Sequence, residues 1–112
     1  MIIERINEPS DIKELTIDEL DTLALEIRTA LINKMSKLGG HMASNLGIVE
    51  ITIALHKVYN SPIDKIIFDV SHQSYVHKIL TGRKDAFIYP DHYNDVSGYS
   101  NPDESEHCLP SL

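Results

Sequence analysis

The sequence predicts an α/β fold, on three observations. Residues 16–38 carry apolar side chains at helical spacing. Residues 46–60 hold a second helical pattern that is apolar almost all round. Ile66-Ile67-Phe68-Asp69-Val70 is a short β-branched and aromatic run of the kind buried in parallel sheets. A length of 112 residues suits one small domain. With 42% hydrophobic and 24% charged residues, pervasive disorder is excluded by composition. The formal net charge of −7 argues against nucleic acid or an anionic membrane as partner, yet leaves room for a phosphorylated ligand in a local pocket. Cys108 is the single cysteine, so no internal disulfide can form, as suits a reducing compartment. No apolar run approaches the roughly 18 residues of a membrane span, and residues 1–7 lack a signal-peptide core. The expectation is a cytoplasmic protein.

Residues 1–13 read as a leader, an arm lying on a larger body, with Ile2, Ile3 and Ile6 in a short extended segment and a turn at Asn7-Glu8-Pro9-Ser10-Asp11. The first helix starts where Thr16 and Glu19 make a capping-box pattern. Ile17, Leu20, Ala24, Ile27, Leu31, Met35 and Leu38 then recur at steps of three and four, giving one apolar stripe. Asp18, Glu19 and Asp21 near its start and Lys34 and Lys37 near its end suit the helix dipole, and Gly39 supplies the stop.

Gly39-Gly40-His41 combines a tight turn with a titratable ring. Ser44-Asn45 then stands where a helix N-cap is expected. In the second helix Ile48, Val49, Ile51, Ile53, Ala54, Leu55, Val58 and Tyr59 cover most of the circumference, which predicts burial on several sides. Glu50 interrupts that surface, either as first-turn dipole stabilisation or as a group facing a ligand. His56 reads as a helix-surface or interface residue. After Asn60-Ser61-Pro62 and the expected strand at 66–70, Ser71-His72-Gln73 occupies the place where open α/β sheets bind ligands. Residues 74–80 predict a short helix ended by Gly82 with Arg83 and Lys84. Residues 90–112 read as a long irregular loop with Tyr93 and Tyr99 spaced through it.

The six histidines invite a metal reading. His72 and His77 are five apart and Cys108 adjoins His107, which makes no recognised zinc pattern, so no metal site is expected. His41 and His72 stand out because each ends a turn defined by glycine or by a strand.

Taken together, Gly39-Gly40-His41, Ser44-Asn45-Leu46-Gly47, Glu50, Ala54-Leu55-His56, Asp69-Val70-Ser71-His72-Gln73-Ser74-Tyr75 and His77-Lys78-Ile79-Leu80-Thr81-Gly82-Arg83 resemble 1-deoxy-D-xylulose-5-phosphate synthase, a thiamine diphosphate family of the transketolase superfamily. Ser97-Gly98-Tyr99 and Glu104-Ser105-Glu106-His107 resemble the loop before that family's next motif, so the resemblance runs over about residues 15–107. It implies a partial thiamine diphosphate-binding fold, with residues 1–112 as the N-terminal part of the diphosphate-binding domain. It also implies condensation of pyruvate with glyceraldehyde 3-phosphate with loss of carbon dioxide, in isoprenoid-precursor and thiamine biosynthesis. Thiamine diphosphate and Mg2+ would be the cofactors, the cofactor carrying the bond chemistry. His41 would be catalytic, moving protons on the donor-derived substrate, and His72 would be cofactor-binding. Asp69 and Lys78 match the family pattern or serve structure, and Arg83 reads as surface or phosphate-loop support.

Ser71, Ser74 and Val76 replace a usual glycine, alanine and proline. After His107 the sequence runs Cys108-Leu109-Pro110-Ser111-Leu112. It contains no Gly-His-Ser-Ser-Thr-Ser segment, no Gly-Asp-Gly…Asn element for magnesium and diphosphate, and no cofactor-activating glutamate. The expectation is therefore an N-terminal segment that is inactive alone and self-associates as a homodimer. The alternatives are a non-catalytic interaction module and one chain of a split transketolase-like enzyme.

Overall fold

The computed structural model describes residues 1–39, 42–67 and 73–107, Met42 by its backbone alone. The helix expected first is α1, Ile17–Leu38. Its capping box is formed: the Glu19 N–H donates to Thr16 Oγ1 at 3.2 Å and the Thr16 N–H donates to Glu19 Oε1 at 3.0 Å. At its other end Gly39 takes φ 76°, a left-handed value that glycine reaches without steric cost. The inward stripe is Leu23, Ala24, Ile27, Ala30, Leu31, Lys34 and Met35, whereas Ile17 and Leu38 lie exposed. Lys34 is thus no surface cation of the last turn. It is 1% exposed, its Nζ donates to Ala86 O, and it sits 4.1 Å from the Phe87 ring centroid.

The N-terminal stretch corrects the expectation of a leader arm. It folds as two 3-10 turns, Ile3–Arg5 and Pro9–Glu14, and Ile3, Ile6 and Ile12 are all buried. The Ile2 and Ile3 N–H groups donate to the Glu26 carboxylate on α1. Proline at the first position and the Glu8–Asp11 capping box explain why a turn wins over an extended arm.

The second helical pattern divides. A short α2, Met42–Leu46, precedes α3, Val49–Val58. Ser44-Asn45 therefore does not cap a helix start, as expected, but lies inside α2. On α3 the buried side is Val49, Thr52, Ile53 and His56, while Ile51 and Val58 are 59% and 69% exposed. Burial follows the polar edge of the helix rather than its most apolar arc. Glu50 pairs with Arg28 of α1 on the surface, at the edge of a shallow apolar groove between α1 and α3 lined by Leu20, Ala24 and Ile53 among others.

Two lysines tie α3 to the N-terminal turns reciprocally. Lys13 Nζ donates to the carbonyls of His56, Lys57 and Tyr59 at the end of α3. Lys57 Nζ donates to the carbonyls of Lys13 and Leu15 at the end of the second turn. Each cation meets the partial negative charge of the other element's C-terminus.

Of the run expected as a core strand, Ile66 and Ile67 are described and lie outside any regular element; residues 68–70 lie outside the described residues. No strand occurs among the described residues, so the helical half of the expected α/β architecture is present and its sheet is not shown. The predicted short helix follows as α4, Tyr75–Lys78, running into a π turn, Ile79–Arg83, broken at Gly82 with φ 99°. A Cβ at Gly82 would stand 3.2 Å from Asn7 O, which reserves the place for glycine. The chain closes with α5, Asp85–Ile88, a 3-10 helix at Pro90–Asp95 where a loop was expected, and turns as far as His107. One core joins the N-terminal isoleucines, α1, α3, α4 and α5. No described helix is long and apolar enough to cross a membrane.

Candidate functional site

His41 and His72 both lie outside the described residues, so their places in the fold are not stated. The described residues that follow them are joined. Asn45, on α2, is 1% exposed, and its Oδ1 accepts from the Tyr75 N–H at 3.0 Å. Tyr75 opens α4, whose preceding residue, Ser74, makes no side-chain cap bond. An asparagine four residues after His41 therefore caps the helix that begins three residues after His72.

Behind this junction lies a chain of imidazoles that the sequence reading missed. His56 on α3 and His77 on α4 stack with centroids 5.0 Å apart, and His56 Nε2 lies 2.8 Å from His77 Nδ1. His77 Nε2 is 2.7 Å from the carbonyl of His107. A carbonyl only accepts, so His77 carries its proton on Nε2 and presents a bare Nδ1 to the His56 Nε2–H. His56 Nδ1 is then a buried lone pair, and it has no partner among the described residues. Burial, foremost, and the neighbouring His77 push His56 down to about 3; burial pushes His77 down to about 4. Both rings are neutral at pH 7. His56 is accordingly a core residue, not the surface or interface residue expected. The signal was present: Thr52 and His56 share one face of an otherwise apolar helix.

A second buried cluster holds the C-terminal segment. Lys78, fully buried, donates to the carbonyls of Ser97 and Tyr99, each at 2.7 Å, and lies 3.0 Å from Glu104 Oε1. Arg83 Nη1 reaches the same oxygen at 3.0 Å, and the Ser97 N–H donates to Glu104 Oε2 at 2.8 Å. Burial raises the Glu104 carboxyl, but the Ser97 N–H, Lys78 and Arg83 outweigh it and hold the group below the usual carboxylate range. Lys78 and Arg83 thus order the chain after α5. Arg83 is not a surface residue, with 11% of its side chain exposed.

No group of three His, Cys, Asp or Glu able to hold a metal occurs among the described residues. An open groove of about 390 Å³ lies elsewhere, lined by Ile3, Leu25, Ala30, Phe87 and Tyr93 among others, and touches no residue flanking the expected histidines.

A family model described as 1-deoxy-D-xylulose-5-phosphate synthase matches residues 3–110. The chain belongs to the 1-deoxy-D-xylulose-5-phosphate synthase family. It is 56% identical over 108 residues to a protein of that name from Caldanaerobacter subterraneus subsp. tengcongensis, covering 96% of this chain and 17% of the relative. A Dehalococcoides mccartyi protein of the same name is 54% identical over 106 residues, covering 95% of this chain and 16% of the relative. One from Macrococcus caseolyticus is 54% identical over 107 residues, with shares of 96% and 17%. The chain therefore spans about a sixth of the length of these family members.

Proposed function

We propose that this chain is the N-terminal part of the diphosphate-binding domain of a thiamine diphosphate-dependent 1-deoxy-D-xylulose-5-phosphate synthase, acting on pyruvate and glyceraldehyde 3-phosphate. His41 moves a proton at an oxygen of the donor substrate, as a group with a pKa near working pH can. His72 lies against thiamine diphosphate, which supplies the carbanion chemistry when bound. Asn45 and Tyr75, joined by a buried hydrogen bond a few residues beyond each histidine, are the observation that supports a shared site. Among the described residues no group of three His, Cys, Asp or Glu could hold Mg2+, and the family resemblance assigns the metal and diphosphate cradle to motifs this sequence does not contain. The 112-residue chain alone makes no product, because a site that works as a unit loses nearly all activity when members are missing.

A chimera tests the reading. Residues 3–107 replace the matching segment of the Caldanaerobacter relative, and synthase activity is measured with and without His41→Ala. Activity that the substitution abolishes is expected. A chimera that folds and binds thiamine diphosphate yet loses nothing on His41→Ala would refute the role given to His41. Product formed by the isolated chain would refute the claim of inactivity.

The exposed Ile51, Val58, Tyr59 and Ile63 favour a second reading, in which the chain is a docking or dimerisation module. Sedimentation of the isolated chain decides it: a dimer that Ile51→Glu dissociates supports that reading, and a monomer at 100 µM (about ten times a typical working concentration) removes it.

A further inference from the structure

The segments that carry His41 and His72 are linked through one buried carboxamide. Asn45 sits on α2, whose first residue, Met42, adjoins His41. Tyr75 is the first residue of α4, and Gln73 and Ser74 alone separate it from His72. The Asn45 Oδ1 accepts the Tyr75 N–H at 3.0 Å, a buried bond across 30 positions of sequence. A local acceptor stands at hand and is not used. Ser74 occupies the cap position of α4 and is fully buried, yet its Oγ has no partner among the described residues. Serine at that place ordinarily caps the first turn itself. Here the first N–H of the helix is held from α2, so the bond fixes one element against another as well as capping.

Both ends of the bond are firmly seated. The Tyr75 ring is buried and meets the Phe87 ring of α5 edge-on, with centroids 5.0 Å apart. On the other side, the Asn45 carbonyl accepts the Ile48 N–H at 3.4 Å, and Leu46 beside it packs on the core. A polar bond shielded from water in this way is costly to leave unmade, because the stranded N–H finds no solvent to replace its acceptor.

We propose that Asn45 is a positioning residue of the synthase reaction, setting the separation and orientation of the segment bearing His41 relative to the segment bearing His72. It acts through the two imidazoles, and the inference rests on the reading above that both serve one site. Groups that must meet one bound substrate tolerate little displacement: an error of about 1 Å costs about a hundredfold in rate. Alanine at position 45 removes the acceptor of the Tyr75 N–H and with it this tie between α2 and α4. Aspartate keeps an oxygen at the same reach and preserves the tie.

The test uses the full-length chimera described above. Thiamine diphosphate affinity is measured by calorimetry and kcat by product formation. Asn45→Ala is expected to weaken cofactor binding at least fivefold and to lower kcat at least tenfold, with KM for pyruvate within threefold of the parent. In a His72→Ala background the same change should weaken binding less than twofold, since the imidazole it acts through is gone. Asn45→Asp should recover most of both losses. A merely structural asparagine would lower the melting temperature and leave affinity and kcat alone, or weaken binding equally in both backgrounds; either result overturns the inference. If Asn45→Ala fails to fold, Asn45→Asp and Asn45→Gln decide. The glutamine side chain is one methylene longer and should lower kcat at least tenfold relative to the aspartate variant; equal activity of the two overturns the inference. If His41→Ala and His72→Ala themselves change nothing, the shared-site reading fails and takes this inference with it. If they do and Asn45→Ala does not, this inference alone fails.

Discussion

Replacing Glu104 by alanine is the most exacting perturbation of this molecule. The carboxylate takes an N–H from Ser97 and faces the ammonium of Lys78 and the guanidinium of Arg83, each across 3.0 Å. Lys78 has none of its side chain exposed, and Glu104 has 10%. Removing one member of a buried ion pair costs about 3–5 kcal/mol, chiefly because the remaining charge has lost its compensation. A domain of this size has about 5–15 kcal/mol in all. The variant should therefore stay folded but marginal, its urea midpoint falling by roughly 2–3 M at a slope of about 1.5 kcal/mol/M. Circular dichroism at pH 7 and 25 °C measures this. Removing the cation as well separates charge from packing. Lys78→Met/Glu104→Ala is expected to be no less stable than Glu104→Ala alone, relief of a buried ammonium without its carboxylate offsetting the donor lost to the Ser97 and Tyr99 carbonyls. A loss under about 1 kcal/mol in Glu104→Ala, or a double variant worse than the single, would refute the argument.

Ile12→Ala should cost about 2–5 kcal/mol by calorimetry or urea melt, the loss proper to a fully buried core side chain and not to an arm on the surface. Thr16→Ala removes the acceptor of the Glu19 N–H and should cost about 1 kcal/mol, whereas Thr16→Ser should restore most of it. Alkaline solution should stabilise the fold through Lys34. Burial first, and the charge of Lys78 second, bring its ammonium down to about 8 from an ordinary 10.5. Between those values the native state has released a proton that the unfolded chain still holds, so stability rises with pH. Urea midpoints at pH 7.5 and 9.5 should show the rise in the native protein and a smaller one in Lys34→Met.

The helical framework was legible where local chemistry decides it. Thr16 and Glu19 announce the start of α1, Gly39 its stop and Gly82 the end of the helix after Tyr75, because capping and left-handed backbone are properties of a few neighbouring residues. The arm at residues 1–13 was misread because isoleucines at positions 2, 3 and 6 are equally consistent with an extended strip and with tight turns; contact with Glu26, on α1, settles it. On α3 hydropathy pointed outward at Ile51 and Val58, while the fold buried Thr52 and His56. A histidine is core-compatible only when another group satisfies it, and that group, His77, lies 21 positions away. Asn45 was taken for a local cap because asparagine before an apolar run usually is one, yet its partner is the N–H of Tyr75. Family kinship was visible in motifs whose order no short pattern supplies by chance, and a family model matching residues 3–110 bears it out.

The crossed lysines at the foot of α3 bear on how this region behaves in strong electrolyte. Lys13 and Lys57 spend their charge on peptide oxygens and not on carboxylates. Mobile ions screen a pair of opposite full charges on the surface far more than a cation seated among carbonyl dipoles. Brine that loosens Arg5 from Glu19 or Arg28 from Glu50 should therefore leave the first fifteen residues fastened to the helix they brace.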